Sequence, residues 1–157
     1  MKGSGFIAEK IKALAGRGVR DILDNCGGYD VCSVVGRGII PEHRVSFEPY
    51  MKKRGCSVDD LSNLINLSIA EISYQVMSSG KGFRGIYTCG GDITVAVCSR
   101  MQNVGLRLLG EVLPLASYGE IIGGDSAGLK IITKGGMVGE PDAIVTCVRY
   151  LKEKLTV

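Results

Sequence analysis

One histidine, His43, stands alone in 157 residues, and none of the six cysteines (Cys26, Cys32, Cys56, Cys89, Cys98, Cys147) forms a C-x-x-C pair. Tetrahedral zinc sites want paired short spacings, and multi-histidine centres want more than one imidazole. No metal site is therefore expected. In a reducing compartment the cysteines read as small buried hydrophobes. No stretch reaches the ~18 continuous apolar residues of a membrane span, and Met1-Lys2-Gly3-Ser4-Gly5 lacks the apolar segment of a signal peptide. The expectation is a cytoplasmic chain with no membrane partner. Excess charge is scarce as well: 19 Lys and Arg against 16 Asp and Glu leave +3, too little and too dispersed to announce nucleic acid. The one dense basic run, Lys52-Lys53-Arg54, is followed by Gly55 and reads as a solvated turn.

Glycine is abundant, 23 of 157 residues, roughly twice the usual share of about 7 %. Such a chain brings its backbone close to something. With 45 % hydrophobic and 22 % charged residues a packed core is expected. The length suits one domain, since domains most often run to about 100–150 residues.

Helix and strand signals alternate. Ser57-Val58-Asp59-Asp60 places a hydroxyl and a carboxylate where a helix N-terminus needs them, and Val58, Leu61, Ile65, Ile69, Ile72 and Val76 then recur as one buried stripe. Gly80 and Gly82 stop that helix. Residues 83–89 read as a buried strand ending at Gly90-Gly91, after which a helix starts near Asp92 with Ile93, Val97 and Met101 facing the core. Strands are expected at 106–109 and 129–134, both bounded by glycines. A last helix is expected over 141–155, with Pro141 and Asp142 at its start and Ile144, Cys147, Val148 and Leu151 on one face. Near the N-terminus the spacing predicts a helix over 7–15 that Gly16 to Gly18 ends, and a strand over 31–35. The segment 26–49 is otherwise unassigned. This pattern defines an α/β fold: a single domain over 1–157, with helices packed on a mainly parallel sheet.

Three glycine-rich segments compete for function. Gly90-Gly91-Asp92-Ile93-Thr94 stands where a strand hands over to a helix, so backbone N–H groups and the helix dipole could receive a phosphate; equally it is a tight turn with Asp92 as N-cap. Lys134-Gly135-Gly136-Met137-Val138-Gly139-Glu140-Pro141-Asp142 repeats that arrangement, with Lys134 as a point charge, or as a surface lysine beside a wide turn. If their strands are parallel, both loops lie on one carboxyl edge and form one cleft. Neither matches the dinucleotide or P-loop fingerprint. The third segment, Gly123-Gly124-Asp125-Ser126-Ala127-Gly128, contains G-x-S-x-G. A nucleophile elbow needs a helix after it and a histidine downstream; here a strand follows and His43 lies far upstream. Ser126 is expected to be an ordinary turn residue between strands.

The ordered set Gly90-Gly91-Asp92, Gly110-Glu111-Val112, Gly128-Leu129, then Thr133-Lys134-Gly135-Gly136 with Gly139 and Pro141-Asp142, resembles the nucleotide-binding C-terminal domain of the four-carbon acid sugar kinases. The match is best over 85–151. Gly3-Ser4 before a helix is similar to a turn that touches nucleotide in that family. Three places differ from the family pattern: Ile93 after the Asp, Pro114-Leu115-Ala116-Ser117, and Met137-Val138.

The resemblance implies ATP and Mg²⁺ as cofactors, with Ser4, Gly90, Gly91, Asp92, Thr94, Lys134, Gly135, Gly136 and Gly139 as the nucleotide-contacting residues. Recognition of the sugar acid falls to a domain these residues do not match, and no catalytic residue is assigned. The function expected is an ATP-binding domain of a threonate/erythronate-type kinase, incomplete for catalysis without that substrate domain. The chain is then either a fragment of such a kinase or a stand-alone relative with a separate partner. The rival reading is a non-catalytic interaction module that kept the fold, lost the nucleotide site and works as a homo-oligomer.

Overall fold

The computed structural model of the chain describes residues 4–36, 41–136 and 139–156. The chain divides into two compact units, Met1–Val76 and Met77–Val157.

The first unit is helical: α1 (Ser4–Asn25), α2 (Glu48–Arg54) and α3 (Val58–Met77), the last running one residue past its boundary. The capping signal at Ser57 is realised in full. Ser57 Oγ accepts the Asp60 N–H at 3.1 Å, and Asp60 Oδ2 receives the Ser57 N–H and O–H, each at 2.8 Å. The expected α3 stripe is buried only toward its end. Ile72 and Val76 are inside with Ser68 and Ala70, whereas Val58 and Ile65 are exposed.

The glycines at 16 and 18 do not end α1. A Cβ at Gly18 would come within 2.7 Å of Ile72 Cδ1, so this glycine lets two helices approach, which outweighs its cost of about 1 kcal/mol in a helix interior. The strand expected over 31–35 does not form. Val31 and Val35 are exposed and lie in no regular element, because β-branched residues make a strand only where they have a partner strand to pair with and a surface to pack on.

The second unit carries a four-stranded sheet: β1 (Gly85–Cys89), β2 (Gly105–Leu113), β3 (Ala116–Ile122) and β4 (Lys130–Lys134), in the order β1-β4-β3-β2. Helix α4 (Gly91–Arg100) follows β1 and α5 (Ala143–Leu155) follows β4. The sheet is mixed, correcting the expected parallel one: β1 pairs with β4 in parallel, and the other two pairings are antiparallel. Short connections decide this. Two residues, Pro114 and Leu115, join β2 to β3, and only a glycine turn joins β3 to β4, whereas a parallel return needs a crossover of a dozen residues or more. Strand β3 is absent from the sequence reading. Strand β2 runs on through Gly110, where the register shifts as at a bulge.

Helices cover both faces of the sheet. Cys147 and Leu151 of α5 pack with Ala116, Tyr118 and Ile132 on one face. Alternation puts Ile121, Ile131 and Thr88 on the other, where α4 lies and buries Val97. Among the cysteines only Cys147 is fully buried; Cys26, Cys32, Cys56 and Cys98 are half-buried, and Cys89, at the end of β1, is exposed. The expectation of small buried hydrophobes therefore holds for Cys147 alone. Among the described residues no helix is long and apolar enough to cross a membrane.

Candidate functional site

Because β1 and β4 are parallel with Cys89 opposite Lys134, both strand-to-helix loops leave the same sheet edge side by side. Gly90 (φ +99) stands at the N-cap position of α4 and donates its N–H to the Lys134 carbonyl at 2.9 Å. A Cβ on Gly136 would lie 3.4 Å from Gly90 Cα. The two glycine loops therefore touch through backbone. A third piece joins them, since β3 starts at this edge with Ala116 opposite Lys134. The Gly135 N–H donates to the Leu115 carbonyl at 2.9 Å.

These bonds redistribute the roles read from the sequence. The N–H groups of Gly90 and Gly135 are consumed within the sheet edge. The donors left facing outward are those of the first helical turns, which have no intrahelical partner: Gly91, Asp92 and Ile93 in α4, and Ile144 and Val145 in α5. Neither helix has a side-chain cap. Asp92, exposed within the first turn, is thus not the N-cap that the plainer reading made it. Asp142 holds the N-cap position of α5, one residue after Pro141.

Thr94 supports the first loop from beneath. Its Oγ1 lies 2.9 Å from both the Gly90 carbonyl and Thr88 Oγ1. The carbonyl can only accept, so Thr94 gives its proton to Gly90 and takes that of the buried Thr88.

Lys134 is buried, which corrects the surface-lysine reading. Its Nζ donates to the Gly135 carbonyl at 2.8 Å, and its stem runs within 3.3 Å of where a Cβ on Gly139 (φ +100) would be. Cys147 lies close enough for the Lys134 ammonium to pull its thiol down, although burial, the larger effect, holds that thiol above its ordinary value. Burial likewise raises the Tyr87 phenol, with a hydrogen bond to Cys89 adding to it.

Ser4 opens α1 in the first unit. Its side chain, together with Gly3, Met137 and Val138, lies outside the described residues. Among the described residues no three His, Cys, Asp or Glu side chains converge as a metal site. A Mg²⁺ at this edge would come with the phosphates it neutralises, as that ion usually does, with Asp92 and Asp142 the carboxylates at the two helix starts.

The G-x-S-x-G segment sits at the opposite edge, between β3 and β4, as a turn closed by Gly128 N–H donating to the Ile121 carbonyl at 2.9 Å. Asp125 and Ser126 line an open cleft of about 250 Å³ with Met77, Ser78, Phe83, Ala127 and Leu129. No histidine lines it.

The hairpin tip Pro114-Leu115 was not read as part of the site. A signal was available: a two-residue connection carrying proline between two apolar runs marks a tight turn.

The sequence profile of a family described as "Nucleotide-binding C-terminal domain" matches residues 33–144. The chain belongs to this family, the C-terminal domain of the four-carbon acid sugar kinases. It is 38 % identical over 150 residues to a D-erythronate kinase of Heliobacterium modesticaldum, a match that covers 95 % of the chain and 33 % of that relative. It is 34 % identical over 73 residues to a D-threonate kinase of Bordetella bronchiseptica, covering 46 % of the chain and 18 % of the relative. The chain thus spans about a third or less of the curated relatives it matches. A crystal structure of a domain of unknown function from Bordetella bronchiseptica, a domain-swapped dimer with bound citrate, has the same fold: TM-score 0.53, 22 % identity, 88 % of this chain and 37 % of that one.

Proposed function

We propose that this chain is the ATP-binding domain of a sugar-acid kinase of the threonate/erythronate type, and that it transfers phosphate only when a substrate domain presents the acceptor. One observation carries the reading: two glycine loops emerge from adjacent parallel strands in backbone contact, and each leads directly into a helix start without a side-chain cap. The free N–H groups of two helix starts, both at the positive ends of their dipoles, suit a polyphosphate. Lys134, beneath the second loop, adds a buried positive charge. Mg²⁺ bound with the nucleotide supplies charge neutralisation on the phosphates; the chain's own contribution is to position them.

Gly91 gives the test. A Cβ there meets nothing within 4 Å, and its φ is not positive, so Gly91→Val folds normally while filling the space a phosphate needs. Calorimetric titration of ATP–Mg²⁺ is expected to show binding by the wild type and at least tenfold weaker binding by the variant, with unchanged melting temperatures. Absence of heat at millimolar nucleotide in the wild type overturns the reading. The rival, an interaction module, then gains weight from the exposed Leu108 and Leu109 on edge strand β2.

A further inference from the structure

Lys134 is only 7 % exposed, and a lysine is almost never buried unless its ammonium is paired. Here the ammonium is turned onto the chain's own backbone. Nζ donates to the carbonyl of the next residue, Gly135, at 2.8 Å. Peptide geometry gives that bond a consequence. A trans peptide is planar, and its C=O and the N–H that follows point in opposite directions. Whatever fixes a carbonyl therefore also aims the next amide.

The first glycine loop shows the pattern with backbone donors. Gly90 is held at both ends: its N–H donates to the Lys134 carbonyl at 2.9 Å, and its carbonyl accepts the Thr94 N–H at 3.0 Å and the Thr94 hydroxyl at 2.9 Å. Turning the Gly90 carbonyl into α4 turns the Gly91 N–H out of it. Gly135 in the second loop is also held at both ends, with its N–H on the Leu115 carbonyl at 2.9 Å. No helix takes its carbonyl, because α5 starts only at Ala143, and among the described residues no backbone N–H donates to it. The Lys134 ammonium stands in for the missing helical turn, with the Cys89 thiol a longer donor at 3.9 Å. By the same planarity the Gly136 N–H faces away from the ammonium. Gly136 itself is exposed, against Gly90.

We propose that Lys134 is a positioning residue of this cleft: it pins the Gly135 carbonyl, and the Gly136 N–H that this turns outward is the second loop's donor to the phosphates, beside that of Gly91. The assignment rests on the nucleotide reading above and adds to it which amide the lysine serves. The ammonium and the Gly136 N–H lie on opposite sides of one peptide, so a phosphate on that N–H is not in contact with Lys134. A lysine acting as a point charge would need to touch it.

Lys134→Met keeps the side chain's length and removes the donor. Isotope-labelled wild type and variant are titrated with Mg²⁺-ATP while the amide resonances of the loop glycines are followed, and both are melted in parallel. In the wild type the Gly91 and Gly136 amides should move on binding, and those of Gly90 and Gly135, bonded within the fold, much less. In the variant binding should weaken about tenfold, as for the loss of one charge-assisted hydrogen bond, and at saturation Gly91 should still move while Gly136 does not. Movement of both in the saturated variant overturns the proposal, since the lysine then acts on the phosphates directly. Loss of both also overturns it, because Lys134 then supports the whole edge or, if the melting temperature drops as well, the fold. Unchanged affinity with unchanged shifts overturns it too. A wild type whose resonances do not respond to millimolar Mg²⁺-ATP refutes the nucleotide reading itself, a failure distinct from the others.

Discussion

At Gly124 a methyl group would meet the Met101 carbonyl oxygen at 2.4 Å and that of Gln102 at 2.5 Å, with φ at +69°. Four residues on, Gly128 has φ +86° and open space around it. The pair separates two costs that glycine substitutions usually mix. Gly128→Ala incurs the left-handed penalty alone, about 1–2 kcal/mol. Gly124→Ala adds overpacking against backbone that cannot swing away, for a total of about 3 kcal/mol or more. Denaturant unfolding of both variants measures the difference, and equal losses would show that the turn at the end of α4 gives way. Thr94 allows a similar separation. Thr94→Val leaves the Gly90 carbonyl with its remaining N–H partner, since Thr94 N donates to it at 3.0 Å, but it leaves the buried Thr88 hydroxyl without an acceptor. The expected loss is about 1–3 kcal/mol, and Thr94→Ser should recover most of it.

Among the elements, α3 carries the clearest titratable contribution. Hydrogen bonds from the Ser57 N–H and then its O–H hold the Asp60 carboxyl below its ordinary value of 3.8. A carboxylate with a lowered folded value stabilises the helix above that ordinary value, and the contribution disappears as pH falls through the folded one. Asp60→Asn should therefore lower stability near neutral pH and flatten the acid limb of a stability-against-pH curve; an unchanged acid limb would remove the capping interaction from the account. This start was legible in the sequence because a capping box is local, as were the strands ending at Cys89 and Lys134 and the glycine loops after them. Pairing was not legible. Whether β4 receives β1 or β3, and in which direction, depends on residues far apart in the chain, and the deciding feature, the Pro114-Leu115 turn, has no meaning as a hairpin until residues 116–122 are assigned to a strand, which the sequence reading does not do. Gly119 and Glu120 interrupt the apolar pattern of β3; Gly119 is required because a Cβ there would lie 2.6 Å from the Arg107 carbonyl oxygen, and Glu120 is satisfied by Lys130 and Arg107 across the sheet. The site was legible as a pair of loops but not as a set of donors, since the ladder and hairpin bonds that consume the Gly90 and Gly135 N–H groups form only in three dimensions.

For the whole molecule, in-line phosphoryl transfer requires an acceptor oxygen held about 3 Å from phosphorus, and the function proposed above assigns acceptor recognition to a separate substrate domain. Incubation of the chain with ATP, Mg²⁺ and a panel of four-carbon acids including threonate and erythronate should yield only background ADP, and a separately expressed substrate domain should raise it. Acceptor-dependent turnover by the chain alone would mean that an acceptor site lies elsewhere in it. The position of β1 at the edge of the sheet has another consequence, in the order of folding. Strands β2, β3 and β4 follow one another through tight turns and can zip locally, whereas β1 must find β4 across the entire α4, β2 and β3 segment, a pairing of high sequence separation that closes late. Native-state hydrogen exchange should accordingly find the β1 amides opening at lower free energy than those of β3 and β4. The contact between the two glycine loops then exists only after the last strand has docked, and a nucleotide bound as proposed, bridging the loops of β1 and β4, would act as a clasp on that final step, slowing exchange in β1 more than anywhere else in the sheet.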